Sequence, residues 1–414
     1  MIIKKISAVL AALMMSPLAV LAADECPNWK ESALTGDWGG TRSTLCEKGV
    51  TVELTHKSDL LSNFSGGVSQ GSAWLMNSEI AVGMDLNKLA GLEGASAFIQ
   101  YHAQHGDLSI NERTGSFAGV SNIETGVNTS LFYQAWLQQN LANDSLSLLA
   151  GLYAVDSEFY VTDTSGLFLQ PPYGMSAEMA QSGRNGPPVF PMGALGVRVK
   201  YSAADLYVQV ALTDGVPGDP NNANGTHIRL DKGDGTLAVA EFGLTPQGAE
   251  GAIAKAAIGL WHYTTRAVAE EIVDANGMPL YGPDQGAYII AERTLMAEQG
   301  NPGQGLAGFA RFGVVNKDLY QADWSGSLGL NYQGPLEGRD DDAVGIAVAN
   351  IHASSKYQLL NSSDSSETVV ELTYRAQVQP WLAVQPSVQY ISNPSMDPAL
   401  KDAVVAGVRI EAGL

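Results

Sequence analysis

From residue 50 onward the chain alternates apolar and polar residues with a period of two. In VTVELTHK, Val50, Val52 and Leu54 alternate with Thr51, Glu53 and Thr55. In NSEIAVGMDL, Ile80, Val82 and Met84 alternate with Glu79, Ala81 and Gly83. In SLFYQAWLQQ, Tyr133, Ala135 and Leu137 are expected on one face and Phe132, Gln134, Trp136 and Gln138 on the other. Near the end, Val370, Leu372 and Tyr374 oppose Glu371, Thr373 and Arg375, and Val408 and Ile410 oppose Arg409 and Glu411. Successive side chains of a strand point to opposite faces, so each segment reads as a strand with one apolar and one polar face.

About sixteen such segments occur, near the ten-residue length of a tilted membrane strand. They are expected near 50–58, 74–86, 95–105, 131–141, 145–155, 194–203, 205–213 and 236–244. The second half adds 254–265, 286–295, 307–316, 324–333, 342–353, 367–378, 382–391 and 402–414. Short links (142–144, 202–205, 379–381) alternate with long ones (106–130, 156–193, 214–235, 266–285, 354–366), apart from a brief 317–323 where a long one is due. Outer-membrane barrels have short periplasmic turns and long outer loops. The expected fold is therefore all-β: a transmembrane antiparallel β-barrel of about sixteen strands, residues 50–414. A soluble β-sandwich is the alternative, but it does not account for apolar faces without a partner sheet.

The first 22 residues read as a signal peptide, with Lys4 and Lys5 before an apolar core from Ile6 to Leu21 and small residues at the cleavage site. Residues 23–49 then form an N-terminal segment ahead of the first strand, where Gly40 or Thr41 can start a short helix and Gly49 stop it. Cys26 and Cys46, the only cysteines, are most simply a disulfide in an exported protein; a metal site lacks a nearby His to complete it.

The formal charge is −20, and removing Lys4 and Lys5 with the leader makes it −22. Nucleic acid is excluded as a partner, since binding it relies on a basic surface. The six histidines form no HxxxH or HExxH arrangement; His102 and His105 are a weak metal signal. GDPNNANG (218–225) and GRDDDAVG (338–345) are acidic turns that either hold Ca²⁺ or are simply solvated. No catalytic constellation, metal centre or cofactor is expected.

Several phrases together resemble carbohydrate-selective porins of the OprB type, in order from the mature start to the end. They are LTGDWGGTRSTLCEKGV, SNFSGG, LFYQAWLQQ, DSEFYVTDTSGLFLQPPYG, PVFPMGALGVRVKY, LTDGVPGDPN, ELTYRAQVQPWLAVQPSVQYISNP and VVAGVRIEAGL. The last residue, Leu414, departs from the aromatic that usually ends such barrels. The resemblance implies a sixteen-stranded outer-membrane barrel of a Gram-negative bacterium, a water-filled channel permeable to sugars, and a short periplasmic helix at GDWGG-R. Arg42 matches a family position there and is expected to anchor that helix.

Candidate pore residues follow from parity. Trp136 between Gln134 and Gln138 offers a sugar an aromatic face and amide hydrogen bonds, unless it belongs to an interfacial belt. The 156–193 connection, rich in aromatics and Pro, is expected to fold inward, carrying Glu158 and Arg184. Arg198 and Lys200 oppose Val197, Val199 and Tyr201 and so point inward, as do Glu79, Arg375, Arg409 and Glu411. These contact permeating sugar or brace the wall. The expected function is passive, carbohydrate-selective diffusion of glucose-like mono- and oligosaccharides, with lipid around a monomer or homotrimer. The alternatives are a general cation-preferring pore, a barrel enzyme or a structural surface protein.

Overall fold

The computed structural model describes residues 26–107, 109–246, 251–274, 276–299 and 301–414. The expected leader, 1–22, lies outside the described residues. Sixteen antiparallel strands close into a barrel, each paired with the next and the last with the first. They are β1 (Val50–Gly67), β2 (Gly71–Asp85), β3 (Ala95–Gly106) and β4 (Thr129–Leu141). β5 (Leu146–Tyr153), β6 (Ala194–Ala203), β7 (Leu206–Asp214) and β8 (Thr236–Leu244) follow. Then come β9 (Ala254–Val273), β10 (Pro279–Glu298), β11 (Asn301–Val315) and β12 (Ala322–Gln333). β13 (Ala343–Ala353), β14 (Ser366–Gln379), β15 (Leu382–Ser392) and β16 (Lys401–Gly413) complete the wall.

Closure leaves no strand edge unpaired, which is what a chain crossing hydrocarbon on strands requires. Outward side chains are apolar and exposed, among them Leu60, Trp74, Ile80, Leu137, Val208, Ile258, Leu328, Leu372 and Ile410. Their inward neighbours are buried, many of them polar: Asp59, Glu79, Gln134, Arg198, Glu241, Arg311, Glu371 and Arg409. No described helix is long and apolar enough to cross a membrane.

Two expectations need correction. The first is the long connection at 266–285, which is strand: β9 and β10 continue as a ladder to Val273 and Pro279, with Val268 opposite Tyr281. This ladder rises beyond the short strands β6–β8, so its outward face need not be apolar and the alternation fades in Thr-Thr-Arg and Pro-Asp-Gln. Its inner residues Ala269 and Ile272 pack on Leu319, with Tyr320 and Tyr357 beside them. The second concerns β4, where Tyr101 pairs with Phe132 and Gln100 with Gln134, leaving Tyr133 as an extra residue. This bulge reverses the parity expected above it: Phe132 is exposed and Tyr133 is buried inside, donating its hydroxyl to Asp156. Below the bulge the expected parity holds, with Leu137 61% and Trp136 6% exposed.

The leading segment braces the seam between β1 and β16. A helix runs Thr41–Glu47, with Gly40 (φ +94°) before it and Gly49 (φ +95°) after it. A Cβ on Gly49 would lie 2.9 Å from the Asp85 carbonyl, so glycine is needed for space as well as for the left-handed turn. Cys26 and Cys46 are joined by a disulfide. Arg42 is buried between the rings of Trp29 and Trp38, and donates to the carbonyls of Gly36 (3.2 Å) and Val52 (3.1 Å). The Leu34 N–H reaches the Gly413 carbonyl at 2.8 Å, and the Trp29 indole reaches Glu53 at 3.2 Å. An isolated helix this short would not persist; Arg42 holds it to the start of β1, and the disulfide ties it to the leading segment, which Leu34 joins to the end of β16.

Cys46→Ser is expected to destabilise this seam by about 3 kcal/mol on chain-entropy grounds. Urea titration of the folded barrel, read by the heat-modified shift on a gel, would show a lower midpoint than wild type.

Candidate functional site: the lumen and its infolded loops

Two outer connections, 107–128 and 154–193, turn into the barrel rather than away from it. A backbone taken inside carries N–H and C=O groups that must find partners there. Carboxylates of the wall supply the acceptors. Glu367 on β14 accepts the Ser116 hydroxyl (2.7 Å) and the N–H groups of Phe117 and Ala118 (both 2.8 Å). Two inward positions along, past Val369, Glu371 accepts the N–H groups of Leu169 (2.9 Å) and Gln170 (3.0 Å). Glu241 on β8 accepts the Tyr160 N–H (3.0 Å), and Glu292 on β10 that of Thr164 (2.8 Å). The carbonyls are met by cations and amides: Arg311 donates to Tyr160, Tyr173 and Gly174, Lys255 to Val161, Gln385 to Leu167 and Gln389 to Val120. Hydrogen bonds to charged groups are each worth about 1.5–3 kcal/mol, so the loops are fixed parts of the lumen wall.

Toward the periplasmic end, under the start of the 154–193 connection, the wall of β4, β5 and β6 opens into a cavity of about 360 Å³. Trp136, Gln138 and Asn140 line it from β4, Leu149 and Tyr153 from β5, and Arg198 from β6. Ser157 and Glu158 come from the infolded loop, while Asp85 at the end of β2, Asn87 and Gly94 of the β2–β3 turn, and Ala95 and Ser96 at the start of β3 complete the lining. Arg198 donates to Glu158 (2.8 Å), to the Ser147 hydroxyl (2.8 Å) and to the Gln138 amide oxygen (2.7 Å). Glu158 also accepts the Tyr153 hydroxyl at 2.7 Å. The pair thus neutralises itself and presents a fixed dipole beside an aromatic wall. Trp136 stacks on Phe98 with ring centroids 5.3 Å apart, and its indole N–H is taken by Gln134 at 3.3 Å.

Four of the expected residues, Trp136, Gln138, Glu158 and Arg198, therefore meet at one cavity. Gln134 and Glu79 lie in the adjoining rows, linked through Gln100, which accepts from Gln134 (3.2 Å) and donates to Glu79 (3.0 Å). The other three are elsewhere. Arg409 forms a two-pronged pair with Asp59 (2.7 and 2.8 Å) and donates to Asn122 (2.8 Å), so it anchors the 107–128 connection. Arg375 pairs with Glu411 at 3.2 Å and donates to Gln377. Arg184, expected at the channel, is instead 66% exposed at the outer mouth, 3.8 Å from Asp234 of the 215–235 connection. Just before it the Gly183 N–H is held by Asp284 on β10, and just after it Asn185 donates to Pro217 of the 215–235 connection.

His102 is buried against the Pro191 carbonyl and Gln104. Among the described residues no group of His, Cys, Asp and Glu is arranged to hold a metal. In the acidic turns, Asp219 pairs with Arg229 and Asp342 with Arg339. Glu241, Glu292, Arg311 and Glu367 were not singled out in the sequence. The available signal was a lone charge on the inward parity of an otherwise apolar strand, as in LAVAEFGL and GFARFGVV.

The sequence matches the family of carbohydrate-selective porins, OprB family, over residues 70–414. It is 27% identical to Porin B of Pseudomonas aeruginosa, covering 97% of this chain and 95% of that protein. It is 24% identical to putative porin QuiX of Acinetobacter baylyi, covering 91% of each. Among solved structures, the high-pH form of Pseudomonas putida OprB superposes with a TM-score of 0.83 at 23% identity, over 93% of this chain and 99% of that one. The outer membrane channel DcaP of Acinetobacter baumannii shares the fold with a TM-score of 0.55 at 10% identity, over 88% of this chain and 97% of that one.

Two outcomes follow from the loop contacts. Glu371→Ala removes the acceptor of two loop N–H groups, and is expected to cost about 3 kcal/mol and to raise single-channel conductance and its noise. Glu124, on the 107–128 connection, has its carboxyl pushed up to about 7, chiefly by burial, with Asp59 and Glu112 adding to it against the Asn111 N–H. A raised carboxyl contributes stability at low pH that is lost as pH climbs through the folded value. Glu124→Gln is therefore expected to flatten the stability of the barrel between about pH 4.5 and 7, measured by thermal unfolding across that window.

Proposed function

Because the chain belongs to the OprB family of carbohydrate-selective porins, an outer-membrane family, we propose that it carries neutral, glucose-like mono- and oligosaccharides passively through its lumen, with the Trp136 cavity as a sugar site on the periplasmic side. The observation that carries this is the chemistry of the cavity. An aromatic face from Trp136 and Tyr153 lies beside the amides of Gln138, Asn140 and Asn87 and the hydroxyl of Ser157. A sugar ring has the complementary pattern: C–H faces that pack on aromatic rings and hydroxyls that both donate and accept. The volume falls in the range of small-molecule sites. Arg198 and Glu158 cancel each other's charge, so a neutral solute is not penalised for lacking one.

The reading as a general cation-preferring pore rests on the acidic composition. Many of the lumen carboxylates, however, are occupied in holding loop N–H groups, which leaves them poorly placed to attract ions. The apolar outer face suits a lipid surround, in a monomer or a trimer.

Single-channel recording in a planar bilayer tests the proposal. Glucose is expected to reduce the current saturably, and Trp136→Ala to weaken that block about two- to twelve-fold, the value of losing an aromatic contact of about 0.5–1.5 kcal/mol. A channel that conducts ions but is indifferent to glucose and its oligomers would exclude a sugar site in this lumen.

A further inference from the structure

Beyond the β6 side of the cavity, two lysines that do not line it stand on the inward faces of β6 and β9, around the Tyr207 ring, without a carboxylate in contact. Lys200 follows Arg198 on the same face of its strand; by register it sits level with Ser147 and, across that strand, with Asn140 of the cavity wall. Its ammonium lies 5.3 Å from the centre of the Tyr207 ring, and that of Lys255 lies 5.9 Å from the same ring. Lys255 donates to the Val161 carbonyl at 2.7 Å. Among the described residues neither lysine forms an ion pair.

The neighbouring carboxylates are all engaged elsewhere. Glu158 is held by Arg198 and Tyr153. Glu241 accepts from the Tyr160 N–H and from the hydroxyls of Tyr207 and Tyr288. Glu292, opposite Lys255 in the ladder, accepts the Thr164 N–H. In a chain with 43 acidic and 23 basic residues, two half-buried ammonium groups around one lumen tyrosine, one of them level with Asn140 of the cavity wall, are therefore without a contacting counter-charge from the described wall.

We propose that this lumen also accepts sugar acids, polyhydroxylated rings or chains bearing one carboxylate, with the ring in the Trp136 cavity and the carboxylate at Lys200 and Lys255. The inference rests on the reading of that cavity as a sugar site. A simple anion gains only the lysines and meets an acidic protein; a neutral sugar gains only the cavity. A sugar acid gains both, and carboxylate–ammonium contacts in partly desolvated surroundings are stronger than in water.

The test compares block of single-channel current by glucose and by glucuronate at matched ionic strength, with acetate as the simple anion. Glucuronate is expected to block at about five-fold lower concentration than glucose, with acetate inert. The double variant Lys200→Gln, Lys255→Gln should bring glucuronate to the level of glucose, and Lys200→Arg should keep the preference. Glucose block with no preference for glucuronate, or a preference that survives in the double glutamine variant, overturns this inference alone. Block by neither solute overturns the sugar site as well.

Discussion

A loop drawn inside a barrel must have its backbone hydrogen bonds met by the wall, and the lumen of this protein is organised around that requirement. Unmet N–H groups in a confined space cost several kcal/mol each, and the 107–128 and 154–193 connections carry many. Glu241, Glu292, Glu367 and Glu371 answer them from strands on one side, and Arg311, Lys255, Gln385 and Gln389 answer the carbonyls. Removing water from these carboxylates is unfavourable by itself; the loop N–H groups compensate for it. Wall and loops therefore stabilise one another, and the shape of the passage follows from their fit.

Aromatic rings complete that fit where hydrogen bonds do not reach. On the inner face Tyr207 lies over Gly243, Tyr288 over Gly259 and Trp261 over Gly286, each leaving no room for a Cβ on the glycine beneath. Tyr160 of the infolded loop stacks on Tyr288 with centroids 3.9 Å apart. The Glu241 carboxylate, reached by the Tyr207 and Tyr288 hydroxyls and the Tyr160 N–H, ties three strands and the loop together. The cavity borders this assembly, so Glu158 and Arg198 hold their positions on a rigid support.

Much of the barrel could be read from the chain, since one-sided burial forces a period of two on every strand that faces lipid. Where a strand leaves the membrane that pressure lapses, and the upper ladder of β9 and β10 passed for a loop. The bulge at Tyr133 was invisible for another reason: an inserted residue shifts parity without altering composition, and Phe132 and Tyr133 are both aromatic. At the site, Trp136, Gln138 and Arg198 were legible because each departs from an apolar face at a known parity, and Glu158 because of a family phrase. Arg184 was misplaced because position within a loop gives no parity at all. The wall carboxylates were overlooked because their partners in the infolded loops are backbone groups 81 or more residues away, which no local pattern records.

The rim of the barrel is built in two different ways. On one side β9 and β10 are twenty-residue strands, so that side is raised by a paired ladder. Directly beside it, the nine-residue strands β7 and β8 end low, and the 215–235 connection supplies the height with unpaired chain, exposed from Pro220 to Asn224. One residue added in the regular ladder below Thr265 would exchange its two faces and turn Trp261 and Tyr263 outward, whereas residues added near Asn222 displace nothing that is paired. The protein thus carries a natural insertion point for a surface tag or label at 220–224, and a side of the mouth whose length is locked.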